Sequence, residues 1–152
     1  MDLTLFFTYL AACGAAAATG TLFRPGVWYE GLSKPRWTPP GWVFPVVWTL
    51  LYLCMSAAAA RIAVLPGTGF ALALWSVQIA FNTLWSPVFF GLNQVKPAMM
   101  VMVVLWISVA ATTFAFASLD TIAGLLFAPY LVWVTIAGAL NLSVLRLNPA
   151  QA

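Results

Sequence analysis

The sequence predicts an all-α integral membrane protein, a single domain built as a bundle of five transmembrane helices. Three observations predict it. Apolar residues make up 64% of the 152-residue chain and charged residues only 6%, against roughly 25% charged in soluble domains. Five apolar segments each match the about twenty residues that cross a bilayer. The links between most of them are short enough to force successive helices into antiparallel neighbours.

The first segment runs over about Leu3–Phe23. Within it, Leu10-Ala11-Ala12-Cys13-Gly14 fits a lipoprotein cleavage box, but Asp2 stands where a signal peptide carries basic residues and the apolar run continues past Cys13. A retained span is therefore the better reading. The long connection Arg24–Gly41 follows, and long loops are where function concentrates. The second segment, Trp42–Leu65, opens after Pro39-Pro40, a helix start signal. Pro66-Gly67-Thr68-Gly69 then turns the chain into the third, Phe70–Leu92. Asn93–Pro97 links this to the fourth, Ala98–Ser118, and Leu119–Thr121 links the fourth to the fifth, Ile122–Leu145. Cys13 and Cys54 fall on different apolar segments and read as buried thiols, not a disulfide.

Charge fixes a sidedness. Arg24, Lys34, Arg36, Lys96 and Arg146 fall on one side of a five-span topology and Arg61 alone on the other. In an inner membrane the positive-inside rule places the long loop and the C-terminus in the cytosol. The net charge of +3 is spread over single residues with no basic patch, which argues against nucleic acid.

Conventional catalysis has little to work with. The chain has no histidine, which removes the usual general base and metal ligand. Its three carboxylates, Asp2, Glu30 and Asp120, all lie outside the apolar segments, so no paired acid–base site is visible. No catalytic residue and no metal ligand is assigned.

Aromatic rings, prolines and amides offer a different chemistry. The stretch from Ser33 to Tyr52 holds three of the eight tryptophans and four of the ten prolines. Pro45, Trp48 and Tyr52 share one face of the second segment at i, i+3 and i+7. On the third, Asn82, Trp85 and Phe89 repeat that spacing, and Pro87 frees the carbonyl of Thr83 and predicts a kink. On the fifth, Tyr130, Trp133, Ala137 and Asn141 stack along one face beside Pro129. Tryptophans filling a core and amides gluing helices explain any one of these. Their recurrence on three helices is the lining of a mostly apolar site with few polar anchors. Trp106 on the fourth segment is either a further wall or a lipid-facing ring.

Three stretches carry a resemblance. W-T-P-P-G-W-V-F-P-V-V-W-T-L-L-Y, F-N-T-L-W-S-P-V-F-F-G and P-Y-L-V-W-x-x-x-A-x-x-L-N resemble the TspO/MBR family of tryptophan-rich sensory and translocator proteins, formerly peripheral benzodiazepine receptors. The likeness covers all five spans and the long loop, and the short loops and C-terminus look bacterial. It implies a five-helix bundle, usually a homodimer, that binds porphyrins such as protoporphyrin IX as ligand, with no obligatory cofactor. It implies tetrapyrrole transport or sensing, with light- and oxygen-dependent porphyrin breakdown, or dimeric signalling modulated by ligand, as alternatives. Carried over by position, the pocket residues are Trp37, Trp48, Tyr52, Asn82, Trp85, Trp133, Ala137 and Asn141, under a lid formed by the long loop. Lys34 and Arg36 stand where porphyrin propionates would arrive, though positive-inside residues fall there equally. Leu140–Arg146 has no tyrosine before its basic residue, which argues against the high sterol affinity of animal members.

Small residues suggest where a second copy would dock. Gly69, Ala73, Ser76 and Ala80 lie within about 60° of one another on the third helix, roughly opposite Asn82, Trp85 and Phe89. That makes the third helix the favoured dimer face over Gly14-x-x-x-Ala18 on the first.

Overall fold

The computed structural model describes residues 2–151. Among them there is no strand, and six α-helices account for most of the chain. These are α1 (Leu3–Leu22), the short α2 (Val27–Glu30), α3 (Val43–Ala63), α4 (Gly69–Ser86), α5 (Val95–Leu119) and α6 (Thr121–Leu147). The five long ones close into a ring in the order α1, α3, α6, α5, α4 and back to α1. α1, α3, α5 and α6 are each long and apolar enough to cross a membrane. α4, with 18 residues, is not among those four. Its Gln78 and Asn82 turn inward and are buried, which dilutes the apolar signal that reveals the others.

Proline shapes two boundaries. The first is at Pro87, where the third segment departs from α-helical geometry. α4 passes there into a π-helical turn, Pro87–Gly91, in which the Leu92 amide donates to the Pro87 carbonyl at 2.9 Å. A single π turn absorbs the bond that proline cannot make while the chain continues helical. α5 begins at Val95, so Lys96 and Pro97 belong to its first turn and not to the link. Proline is tolerated there because first-turn amides lack intrahelical partners.

The end of the bundle away from the long loop is held by one residue. Asp120 alone separates α5 from α6, and its Oδ1 caps α6 by accepting from the Ala123 amide at 3.0 Å. Its Oδ2 accepts from Arg61 Nη2 at 2.7 Å and Nε at 3.1 Å. These bonds, the Arg61 pair foremost, hold the Asp120 carboxyl below its ordinary range. A carboxylate depressed by folding stabilises the protein above its unfolded-state pKa, and the contribution is lost as pH falls through its folded-state value. Asp120→Asn is expected to lower thermal stability at neutral pH and to flatten its decline on acidification below the ordinary aspartate range. Melts of the two proteins from pH 7 to pH 3 check this, and parallel curves would contradict it.

Candidate functional site

The inward faces of α3, α4 and α6 meet at mid-depth. The Tyr52 hydroxyl on α3 donates to Asn82 Oδ1 on α4 at 3.0 Å. Asn82 Nδ2 in turn donates to the Tyr130 hydroxyl on α6 at 2.7 Å. One amide thus joins three helices, using both its donor and its acceptor. Asn82 keeps a second N–H and Tyr130 its own hydroxyl proton for a further partner. Trp48 stacks on Tyr52 with ring centroids 5.4 Å apart and meets Tyr130 edge-on at 5.8 Å. The helical spacing of Trp48 and Tyr52 delivers both rings to the same side of α3, which is why the stack forms.

A second layer lies toward the long loop. Trp85 Nε1 donates to Asn141 Oδ1 at 3.0 Å, and Asn141 Nδ2 makes a longer contact of 3.4 Å to the Val95 carbonyl. Trp85 stacks on Phe89 at 4.8 Å. The loop closes over this layer with Trp28 and Tyr29, which meet Phe89 at 5.7 and 6.1 Å. Trp133 faces the first turn of α3, edge-on to Phe44 at 5.7 Å, and its Nε1 is buried with no protein partner among the described residues. Ala137 is half-buried against the same core, one turn from Trp133.

The structure therefore brings together nine of the ten sequence-assigned residues: Trp48, Tyr52, Asn82, Trp85, Phe89, Tyr130, Trp133, Ala137 and Asn141. Trp37 stands apart in the loop, half exposed at 50%. Sequence reasoning missed Trp28 and Tyr29, which lie in the loop and have no spacing relative to the helical stripes, and Phe44, which the i, i+4, i+8 spacing to Trp48 and Tyr52 does signal. It also missed Gln78, which an amide in the middle of an apolar segment does signal. Trp106 turns outward at 42% exposure, and its Nε1 donates to Thr135 Oγ1 at 2.8 Å.

The loop carries one correction. Lys34 is not free to meet an anionic ligand. Its Nζ donates to the carbonyls of Tyr29, Leu32 and Glu30 at 2.7, 3.0 and 3.4 Å and sits 4.5 Å over the Tyr29 ring, an ammonium neutralising the carboxyl end of α2. Arg36 remains exposed. Asn148 past α6 then clasps the loop: its Oδ1 accepts from the Ser33 amide and its Nδ2 donates to the Ser33 carbonyl, each at 2.9 Å. Cys13 is buried and Cys54 half-buried, and both are free thiols.

Two cavities lie away from these rings. One cavity of about 220 Å³ opens on the outer face between α5 and α6, beside Met102, Trp106 and Gly138. Another of about 220 Å³ flanks Arg61 and Asp120. At the centre the rings of Trp48, Tyr52 and Tyr130 pack on one another and Asn82 bonds both tyrosines.

The fold and its centre define a class: helical integral membrane proteins whose interior is a layered assembly of aromatic rings crosslinked by buried amides. Residues 6–147 match the TspO/MBR family, and the chain belongs to that family. It is 57% identical to the tryptophan-rich sensory protein of Cereibacter sphaeroides, over 97% of this chain and 94% of that protein. It is 54% identical to Protein CrtK of Rhodobacter capsulatus, over 99% and 97%. Among animal proteins, it is 33% identical to the translocator protein of Homo sapiens, over 93% and 88%.

Proposed function

We propose that this chain is a membrane-embedded tetrapyrrole-binding protein that acts in porphyrin transport or sensing. The observation that carries the proposal is the meeting of Tyr52, Asn82 and Tyr130 beneath the Trp48 ring. A flat apolar macrocycle needs ring faces to stack on and a few fixed polar anchors, and this layer supplies both. Trp133 adds an indole N–H with no protein partner. Because the rings now pack on each other, binding requires Trp48 to leave its stack on Tyr52 and the Trp28–Tyr29 segment to lift from Phe89. Relatives named as sensory and translocator proteins support the same reading.

Five spans complete the topology proposed here. α4 and its π turn together extend about 35 Å at roughly 1.5 Å per residue, enough to cross the hydrocarbon core. The long loop and C-terminus are cytosolic if the host is a bacterial inner membrane. The protein acts as a homodimer through α4, whose Gly69, Ala73, Ser76 and Ala80 are all exposed. Ala73→Cys or Ala80→Cys is expected to cross-link two chains in native membranes. Efficient cross-linking through Ala18→Cys alone would transfer the interface to α1.

Titration of the purified protein with a porphyrin panel, followed by the shift of the porphyrin absorption band, tests the site. Trp48→Ala and Trp133→Ala are each expected to weaken binding by at least about 1 kcal/mol, roughly five-fold in Kd. Trp106→Ala, on the outer face, is expected to change it by less than about two-fold. Equal losses at all three positions would mean that the rings serve folding alone.

A further inference from the structure

One layer deeper than Asn82, α4 buries polar groups that have no hydrogen-bond partner among the described residues. Gln78 is fully buried, and neither its Nε2 nor its Oε1 has a partner among the described residues. Trp75, three residues earlier on the same helix face, is 3% exposed, and its Nε1 is also unpaired. The other buried polar side chains all make hydrogen bonds. Ser56, Thr68, Ser108 and Thr112 donate to carbonyls within their own chain segments, and Asn82 and Asn141 bond across helices. Trp133 Nε1 on α6 is also buried without a partner among the described residues, so three of these four orphaned atoms lie on adjacent turns of α4.

The chemistry of the orphans selects their partner. An amide cannot ionise to escape its desolvation, and it presents both a donor and an acceptor. The indole adds one more donor. Asp2, Glu30 and Asp120, the chain's only carboxylates, all lie outside the long helices, so no anionic group balances a cation at this depth. What fits is a small neutral molecule that both donates and accepts. Around the pair, Tyr9 of α1 packs edge-on to Trp75 at 4.8 Å. Cys13 Sγ of α1, also buried, lies 3.6 Å from Ser56 Oγ of α3. Helices α1, α3 and α4 thus all bring polar atoms to this end of the core.

We propose that Gln78 and Trp75 form a second binding site, distinct from the aromatic one, that holds water inside the bundle. The site lies about 6 Å along α4 from Asn82, on the side away from the long loop. A buried water with two or three protein partners satisfies groups of this kind and is retained as part of a fold. Its consequence for the aromatic site is a wet floor. A ligand group that reaches past Asn82 meets hydrogen-bonding water there instead of hydrocarbon.

X-ray hydroxyl-radical labelling of the full chain in lipid nanodiscs, in ¹⁸O-water, tests this. Water bound beside a ring is activated in place, so Trp75 is expected to take up ¹⁸O about five-fold faster than the equally buried Phe127, after correction for intrinsic ring reactivity. Gln78→Leu is expected to abolish most of that excess and to leave labelling of the exposed Trp42 unchanged. Should the leucine variant not fold, Gln78→Met preserves side-chain length and flexibility and carries the same expectation. Labelling of Trp75 no faster than Phe127, or unaltered in both variants, would overturn the proposal.

Discussion

Asn82→Leu is expected to destabilise the folded protein by about 2 kcal/mol. The substitution removes no packing volume of consequence but breaks two hydrogen bonds, to Tyr52 and to Tyr130. Hydrogen bonds between membrane helices measure only about 0.6–1.7 kcal/mol each, because the unfolded chain also finds partners in the bilayer. Here, however, both hydroxyls are left in an interior with no protein replacement, and each orphan adds a desolvation cost of about 1–3 kcal/mol. Reversible unfolding in mixed detergent micelles reads the loss. A double-mutant cycle with Tyr52→Phe separates the Tyr52 bond from the Tyr130 bond, and strong coupling is expected because the groups form one chain. A change in stability under about 0.5 kcal/mol would mean that the two tyrosines pair without the amide.

Gly124→Ala is expected to cost about 2–3 kcal/mol, in the upper part of the range for overpacking a tight core. A Cβ at Gly124 would stand 2.5 Å from the Ala117 Cβ, 2.6 Å from its Cα and 3.0 Å from its backbone nitrogen. Two of those three atoms are main chain, so no rotamer change relieves the clash. The helices cannot simply part either, because Asp120 alone joins them and is fixed by Arg61 and by its cap on α6. Ala117→Gly in the same chain is expected to restore only part of the loss, since it removes the nearest contact and leaves the backbone ones. Gly138 offers the internal control. A Cβ there meets nothing nearer than Met102 Cγ at 3.5 Å, and Gly138→Ala is expected to be neutral or slightly stabilising. Full rescue of Gly124→Ala by Ala117→Gly would show that only side chains compete at this crossing.

Much of this protein is legible in its sequence because a bilayer enforces its rules locally. Apolar length determined which segments are helices, and i, i+3, i+7 spacing determined that Trp48 and Tyr52 share a face, as do Asn82, Trp85 and Phe89. The recurrence of rings and amides on the second, third and fifth segments located the inward stripes, and the three motifs placed the chain in its family. These properties depend on a few turns of one helix at a time.

Other properties depend on which helix stands beside which, and no single segment encodes that. The ring order α1, α3, α6, α5, α4 decided that Asn82 joins Tyr52 to Tyr130 and that Trp106 faces outward. Lys34 illustrates the same division. Its charge and loop position suit an anionic ligand as well as they suit a helix end, and only the folded loop commits it to three carbonyls at and just past the end of α2. Pro87 forbids one hydrogen bond whatever the fold, and the folded chain meets the loss with a π turn that carries Phe89 between Trp85 and the Trp28–Tyr29 segment. Sequence fixes what each group demands in a medium without water; the tertiary structure decides which neighbour meets the demand, because partners come from residues as distant along the chain as Ser33 and Asn148.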